Sequence, residues 1–181
     1  MDKYKLKFTR LQNEIFRLLC IKAGDSLNQR IIAELLKVSP TAVAKAMKSL
    51  EKSGLVKVEK SKRMKLNTVV LNREESKTMA FKRIENLKLI YESGLADFLE
   101  EKFAGGTIIL FGSYSRGEDT VDSDIDIAII GRKEKELDLS NFERMLERPI
   151  YLQHYESFRK IHGNLRENIL NGIILAGSVE L

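Results

Sequence analysis

Two carboxylates one residue apart, Asp124 and Asp126, open the apolar run Ile127-Ala128-Ile129-Ile130. If that run is a strand, alternate residues share a face, and the two acids project together at ~6–7 Å along the chain. Such a pair can hold two divalent metals about 3.5–4 Å apart, the arrangement used for in-line displacement at phosphorus. Upstream stands Phe111-Gly112-Ser113-Tyr114-Ser115-Arg116-Gly117. Gly112 lets backbone approach a phosphate closely. Ser113 offers an N–H and a hydroxyl at the start of a short helix. Arg116 can add a charge-assisted bond to the same triphosphate. Gly112, Ser113 and Arg116 are therefore candidate nucleotide-binding residues, and Asp124 and Asp126 candidate catalytic and metal-binding ones. Two other readings compete. One is a solvated acidic entrance to a strand, with no chemistry. The other is a calcium loop, because Asp122, Asp124 and Asp126 alternate; it fails because Ile127 stands where the turn glycine belongs and Lys133 where the bidentate Glu belongs.

These residues need strands to hold them. Thr107 to Phe111 is short, apolar and β-branched, and reads as a buried strand delivering Gly112. Asp124 to Ile130 reads as a second, with Ile125, Ile127 and Ile129 on the face away from the acids. Ile150 to Tyr155 reads as a third. Gly105-Gly106 gives a flexible entry to the first.

The string Gly112-Ser113-Tyr114-Ser115-Arg116-Gly117 followed by Ser123-Asp124-Ile125-Asp126 resembles the nucleotidyltransferase superfamily related to DNA polymerase beta. It is most similar to the minimal nucleotidyltransferases of bacteria and archaea. The resemblance spans about residues 95–181, including Leu165 to Leu175, which looks like the family's last helix and strand. It implies that Gly112 and Ser113 hold the triphosphate of ATP or another nucleoside triphosphate, and that Asp124 and Asp126 hold Mg2+ or Mn2+. It also implies a third carboxylate from a later strand, at Tyr151 or, two residues on, at Gln153. Neither is an acid. Glu156 and His154 alternate onto the opposite face. The expectation is a site that binds triphosphate with its own magnesium but activates an attacking hydroxyl poorly.

The first 72 residues differ in charge. They hold 16 Lys and Arg against 6 Asp and Glu, whereas residues 73–181 hold 15 against 20. A basic half beside an acidic half points to two domains with different partners. Phe8, Leu11, Ile15, Leu18 and Leu19 predict a helix over Thr9 to Lys22. Asn28 can cap a second helix with Ile31, Ile32, Leu35 and Leu36 inward. Ser39-Pro40 begins a third, ending at Gly54, with Val43, Met47 and Leu50 inward. Leu55 to Glu59 and Leu66 to Leu71 then alternate as a hairpin around the basic turn Lys60 to Lys65. A helix-turn-helix followed by such a hairpin resembles the winged-helix domain of bacterial and archaeal transcription regulators, over residues 8–72. On that resemblance Thr41, Lys45 and Lys48 face double-stranded DNA from the third helix, and Lys60, Lys62, Arg63 and Lys65 from the wing tip. Lysines neutralise phosphate and carry little sequence information. A winged helix that docks protein instead is the competing reading.

The expected fold class is α+β: a winged helix-turn-helix at 1–72, a helical connector at 73–94, and a nucleotidyltransferase-like mixed sheet flanked by helices at 95–181. The connector carries Phe81, Ile84, Leu87, Lys88 and Tyr91 at helical spacing, open both to packing on the next domain and to pairing as a homodimer. The single Cys20 forms no internal disulfide and sits among apolar neighbours, which suits a reducing compartment. No apolar run approaches a membrane span, so a cytoplasmic protein without membrane partners is expected. Two functions follow. One is a DNA-binding transcriptional regulator with a nucleotide- and magnesium-binding domain of impaired chemistry. The other is an active magnesium-dependent transferase moving AMP from ATP to a hydroxyl on a small molecule or a partner protein. By the resemblance, that partner is a small helical toxin-like protein.

Overall fold

The computed structural model describes residues 8–60 and 67–179. By compactness the chain divides into two units, Met1–Thr78 and Met79–Leu181. Among the described residues no helix is long and apolar enough to cross a membrane.

In the first unit, α1 (Arg10–Ile21) opens on a capping box. The Thr9 hydroxyl accepts from the Gln12 N–H, and the Gln12 side chain accepts from the Thr9 N–H. Its buried face is Gln12, Ile15, Phe16, Leu19 and Cys20. A two-residue strand, β1 (Leu27–Asn28), leads into α2 (Gln29–Leu35), whose first N–H groups donate to the Asn28 side chain at 2.9 Å. The stripe expected on α2 holds only in part. Ile32 is buried as expected, with Ala33 beside it, but Ile31 and Leu35 lie 38% and 50% exposed. The buried face is centred between Ile32 and Ala33, which leaves residues 31 and 35, one turn apart, together on the outer side. Ser39 caps α3 (Pro40–Lys52), where Val43, Ala46, Met47 and Leu50 recur at three- and four-residue spacing and are buried. Strands β2 (Val56–Lys60) and β3 (Asn67–Leu71) pair antiparallel, and the sheet order is β1-β3-β2. The strand β1 is too short for alternation to reveal. Lys62, Arg63 and Lys65 lie outside the described residues, as does the side chain of Lys60.

The second unit holds most of α4 (Ser76–Glu92), whose first turn belongs to the first unit. Of the spaced residues, Ile84, Lys88 and Tyr91 are exposed, while Lys82, Asn86, Leu89 and Ile90 are buried. Gly94, at φ +77°, separates α4 from α5 (Leu95–Lys102). The sheet that follows has the order β6-β5-β4-β7, with β4 (Thr107–Phe111), β5 (Ile125–Ile130), β6 (Ile150–Tyr155) and β7 (Ile173–Ala176). β4 pairs antiparallel with β5 and β7, and β5 pairs parallel with β6. A parallel pair needs a crossover, which contains α7 (Ser140–Leu146), a helix that apolar spacing did not reveal. The remaining helices are α6 (Gly112–Arg116) and α8 (Gly163–Leu170).

β5 is one of the two inner strands of this sheet. Ile125, Ile127 and Ile129 are fully buried on one face, each stabilising the fold by roughly 1.5–3 kcal/mol. On the other face Ala128 and Ile130 join Ile109, Phe111, Phe158, Ile161 and Ile169 in one apolar cluster. Asp126 shares that face, at the end where the cluster stops.

Candidate functional site

Three segments meet at Asp126. Its antiparallel partner is Phe111, the last residue of β4, and its parallel partner is Tyr151 of β6. α6 starts at once after Phe111, so the loop motif and the acid share one end of the sheet. Strand β5 begins at Ile125, which leaves Asp124 in the extended segment just before it. Both carboxylates are partly exposed, as are the Ser113 side chain and Gln153.

Gly112 has a nearer task than the one inferred from sequence. Its φ is +72°, and a Cβ built there would overlap the carboxylate of Asp126. The absent side chain makes room for the acid first, whatever else it admits. Gly117, at φ +76°, closes α6 just as tightly. A Cβ there would lie 2.8 Å from the Arg83 nitrogen and the Met79 carbonyl of α4, which are backbone atoms unable to swing aside.

Burial raises the pKa of Asp126, and the neighbouring charge of Asp124 raises it further; a bond from Gln153 and the charge of Arg116 act the other way. Two carboxylates that repel one another in partial burial are a donor set that fits a divalent cation. Arg116 is not idle: its Nε donates to Glu118 at 2.7 Å and one terminal nitrogen donates to Asn168 of α8 at 3.0 Å. A triphosphate would have to draw it from these acceptors.

The register of β6 answers the question of the third acid. Tyr151, Gln153 and Tyr155 alternate on the face of Asp126, with Tyr151 opposite Asp126 and Gln153 opposite Ala128. The Gln153 amide nitrogen donates to Asp126 Oδ1 at 3.3 Å, and the Tyr155 hydroxyl donates to the Gln153 oxygen at 2.7 Å. Among the described residues no group of three or more His, Cys, Asp or Glu side chains is placed to hold a metal. His154 points the other way, its ring edge-on to Phe103 at 5.3 Å, and exposed Glu156 pairs with Lys160 at 3.6 Å.

Spacing along the chain gave no sign of a buried polar cluster behind the loop. Asp119 is 1% exposed and accepts from Lys82, from Asn86 at 2.7 Å and from Arg148 at 3.4 Å. Asn86 also donates to the Tyr114 carbonyl in α6 at 2.9 Å. Lys82 and Asn86 thus tie α4 to Tyr114 within α6 and to Asp119 just beyond it. A buried charge of this kind is tolerable only when paired, which explains why α4 turns a polar face inward.

In the first unit, Thr41, Lys45 and Lys48 lie exposed on one face of α3, opposite Val43, Met47 and Leu50.

Comparison with known proteins matches both units. Residues 12–63 fit the MarR family, and residues 92–175 fit the family described as nucleotidyltransferase domain. The chain joins a MarR-family winged helix to a nucleotidyltransferase domain. Over 65 residues it is 42% identical to MJ1379, a Methanocaldococcus jannaschii protein whose name assigns it as a protein adenylyltransferase; that match covers 36% of this chain and 56% of the relative. The chain therefore spans little more than half the length of that relative. Among solved structures, Lactococcus lactis ZitR is similar at 25% identity over 57% of this chain and 68% of that one, with a TM-score of 0.43. The adhesin competence repressor of Streptococcus pyogenes is similar at 22% identity over 57% and 72%, with a TM-score of 0.44.

Proposed function

We propose that the chain is a DNA-binding transcriptional regulator whose nucleotidyltransferase domain binds a nucleoside triphosphate with a divalent cation and transfers nucleotide poorly, if at all. The observation that carries this reading is the face of β6. Beside an intact Gly112-Ser113 and Asp124-x-Asp126, it offers Tyr151 and Gln153 where the family resemblance calls for an acid. The cation would be held by Asp124 and Asp126 and would supply charge neutralisation to the phosphates. The chain's own groups would do the rest. Ser113 would bond a phosphate oxygen, Arg116 would exchange Glu118 for the triphosphate, and Gly112 would leave Asp126 its place.

DNA binding is supported by the MarR-family match, by the excess of basic residues before residue 73 and by the exposed row Thr41, Lys45, Lys48. Calorimetric titration with ATP and Mg2+ tests the nucleotide site: binding that Asp126→Ala abolishes is expected, and no binding to the wild-type chain overturns it. Salt-dependent affinity for duplex DNA tests the other unit. Lys45→Ala and Lys48→Ala should each lower the slope of log affinity against log salt by about 1.

The similarity to a protein named as a protein adenylyltransferase favours a second reading, in which AMP moves from ATP to a hydroxyl on a partner protein. Radiolabelled ATP with Mg2+ and candidate acceptors separates the two. Label transferred by the wild-type chain and lost in Asp126→Ala would establish the second.

A further inference from the structure

Resting on the proposed nucleotide site, we infer that Gln153 limits that site to a single divalent cation, its amide standing where a carboxylate would recruit a second.

Gln153 has one acceptor oxygen and one NH2 group, and it carries no charge. Its oxygen accepts from the Tyr155 hydroxyl at 2.7 Å, and its nitrogen donates to Asp126 Oδ1 at 3.3 Å. An ionised carboxylate accepts only, so turning the amide over would set two acceptors against each other beside Asp126. Asp126 therefore orients the nitrogen, and Tyr155 occupies the oxygen. Gln153 acts on Asp126 as a donor, in the role a cation would take on that side. The site then holds two negative charges, from Asp124 and Asp126, and among the described residues no third His, Cys, Asp or Glu joins them in a group placed to hold a metal. Two negative charges and a triphosphate suffice for one divalent ion. A second would bring two more positive charges to a place whose nearest side chain is neutral and already bonded.

The backbone favours this assignment over an accidental contact. Gln153 stands opposite Ala128, the residue two along from Asp126 on the same face of β5. Ala128 is small and fully buried, so the Gln153 side chain meets no bulk on its way to Asp126. Tyr155 lies two residues on, on the same face, where it packs against the apolar cluster and holds its hydroxyl toward Gln153. The three residues form one line: Tyr155 orients Gln153, and Gln153 bonds Asp126.

Counting Mn2+ by electron paramagnetic resonance, with a non-hydrolysable ATP analogue present, tests the inference on the full chain. Wild type should bind one Mn2+ per chain. The isosteric variant Gln153→Glu adds charge without volume and should bind two, the second with a Kd within about tenfold of the first. Gln153→Asp serves as a second version should the glutamate disturb folding, as read by thermal unfolding. Two ions on the wild-type chain, or one ion on a folded acidic variant, overturns the inference while leaving the nucleotide site in place. If the wild-type chain binds no analogue at all, the nucleotide site fails and the inference falls with it.

Discussion

Asp126 holds its proton more tightly than an ordinary carboxylate because it is partly buried and stands beside Asp124. The consequence for stability has a definite sign. A carboxyl whose folded-state pKa lies above its unfolded value of about 3.9 disfavours the folded state when ionised. That cost is fully present above the folded pKa and vanishes below the unfolded one. Asp126→Asn, which keeps an oxygen able to accept from Gln153, should therefore raise the melting temperature at pH 7 without added metal. The advantage should shrink as pH falls toward about 4, and thermal scans across that range check it. An equal gain at pH 4 and 7 would point to packing rather than charge. Much at this scale could be read from residue types: Asp126, Gly112 and the neutral β6 face all lie where spacing put them. Why Gly112 is glycine could not. The overlap of its missing Cβ with Asp126 arises from pairing between β4 and β5, and a single chain order does not display which atoms meet across strands.

Helix α4 shows where periodicity misleads. Its apolar residues Phe81, Ile84 and Tyr91 suggest one face, but the buried face is built from Lys82 and Asn86 together with Leu89 and Ile90. Thirty-seven residues separate Lys82 from Asp119, too far for any local pattern to link them. The pairing has a measurable weight. Lys82→Met should destabilise the chain by about 3–5 kcal/mol, the usual cost of removing one partner from a buried charge cluster. Denaturant unfolding gives the number. Loss below about 1 kcal/mol would mean that Arg148 and Asn86 alone satisfy Asp119. The same reasoning explains α2, where Ile31 and Leu35 are apolar yet outward. Composition identifies a helix, and only its neighbours decide which side they cover. The strands fared better, since β4 and β6 have the bounds their apolar runs indicated and β5 differs by one residue.

Across the whole chain, the charge changes near residue 72 and a motif starts at Gly112, and the family matches cover 12–63 and 92–175. What charge and motifs do not mark is where the second part begins to depend on α4. A shortened chain beginning at residue 95 contains the sheet, the Gly-Ser loop and both site acids, yet it lacks Lys82 and Asn86. It should aggregate or show no cooperative unfolding, whereas one beginning at residue 73 should unfold in a single transition; calorimetry on the two fragments decides. A stable fragment from 95 would show that the Asp119 cluster is dispensable. The dependence also bears on how such a protein can be reassembled. The winged helix is exchangeable for another only if the splice falls before Lys82, because α4 travels with the Gly-Ser loop as its foundation. A recombination joint placed at Gly94, the visible break in the helix, would deliver a complete motif on a domain without its anchor.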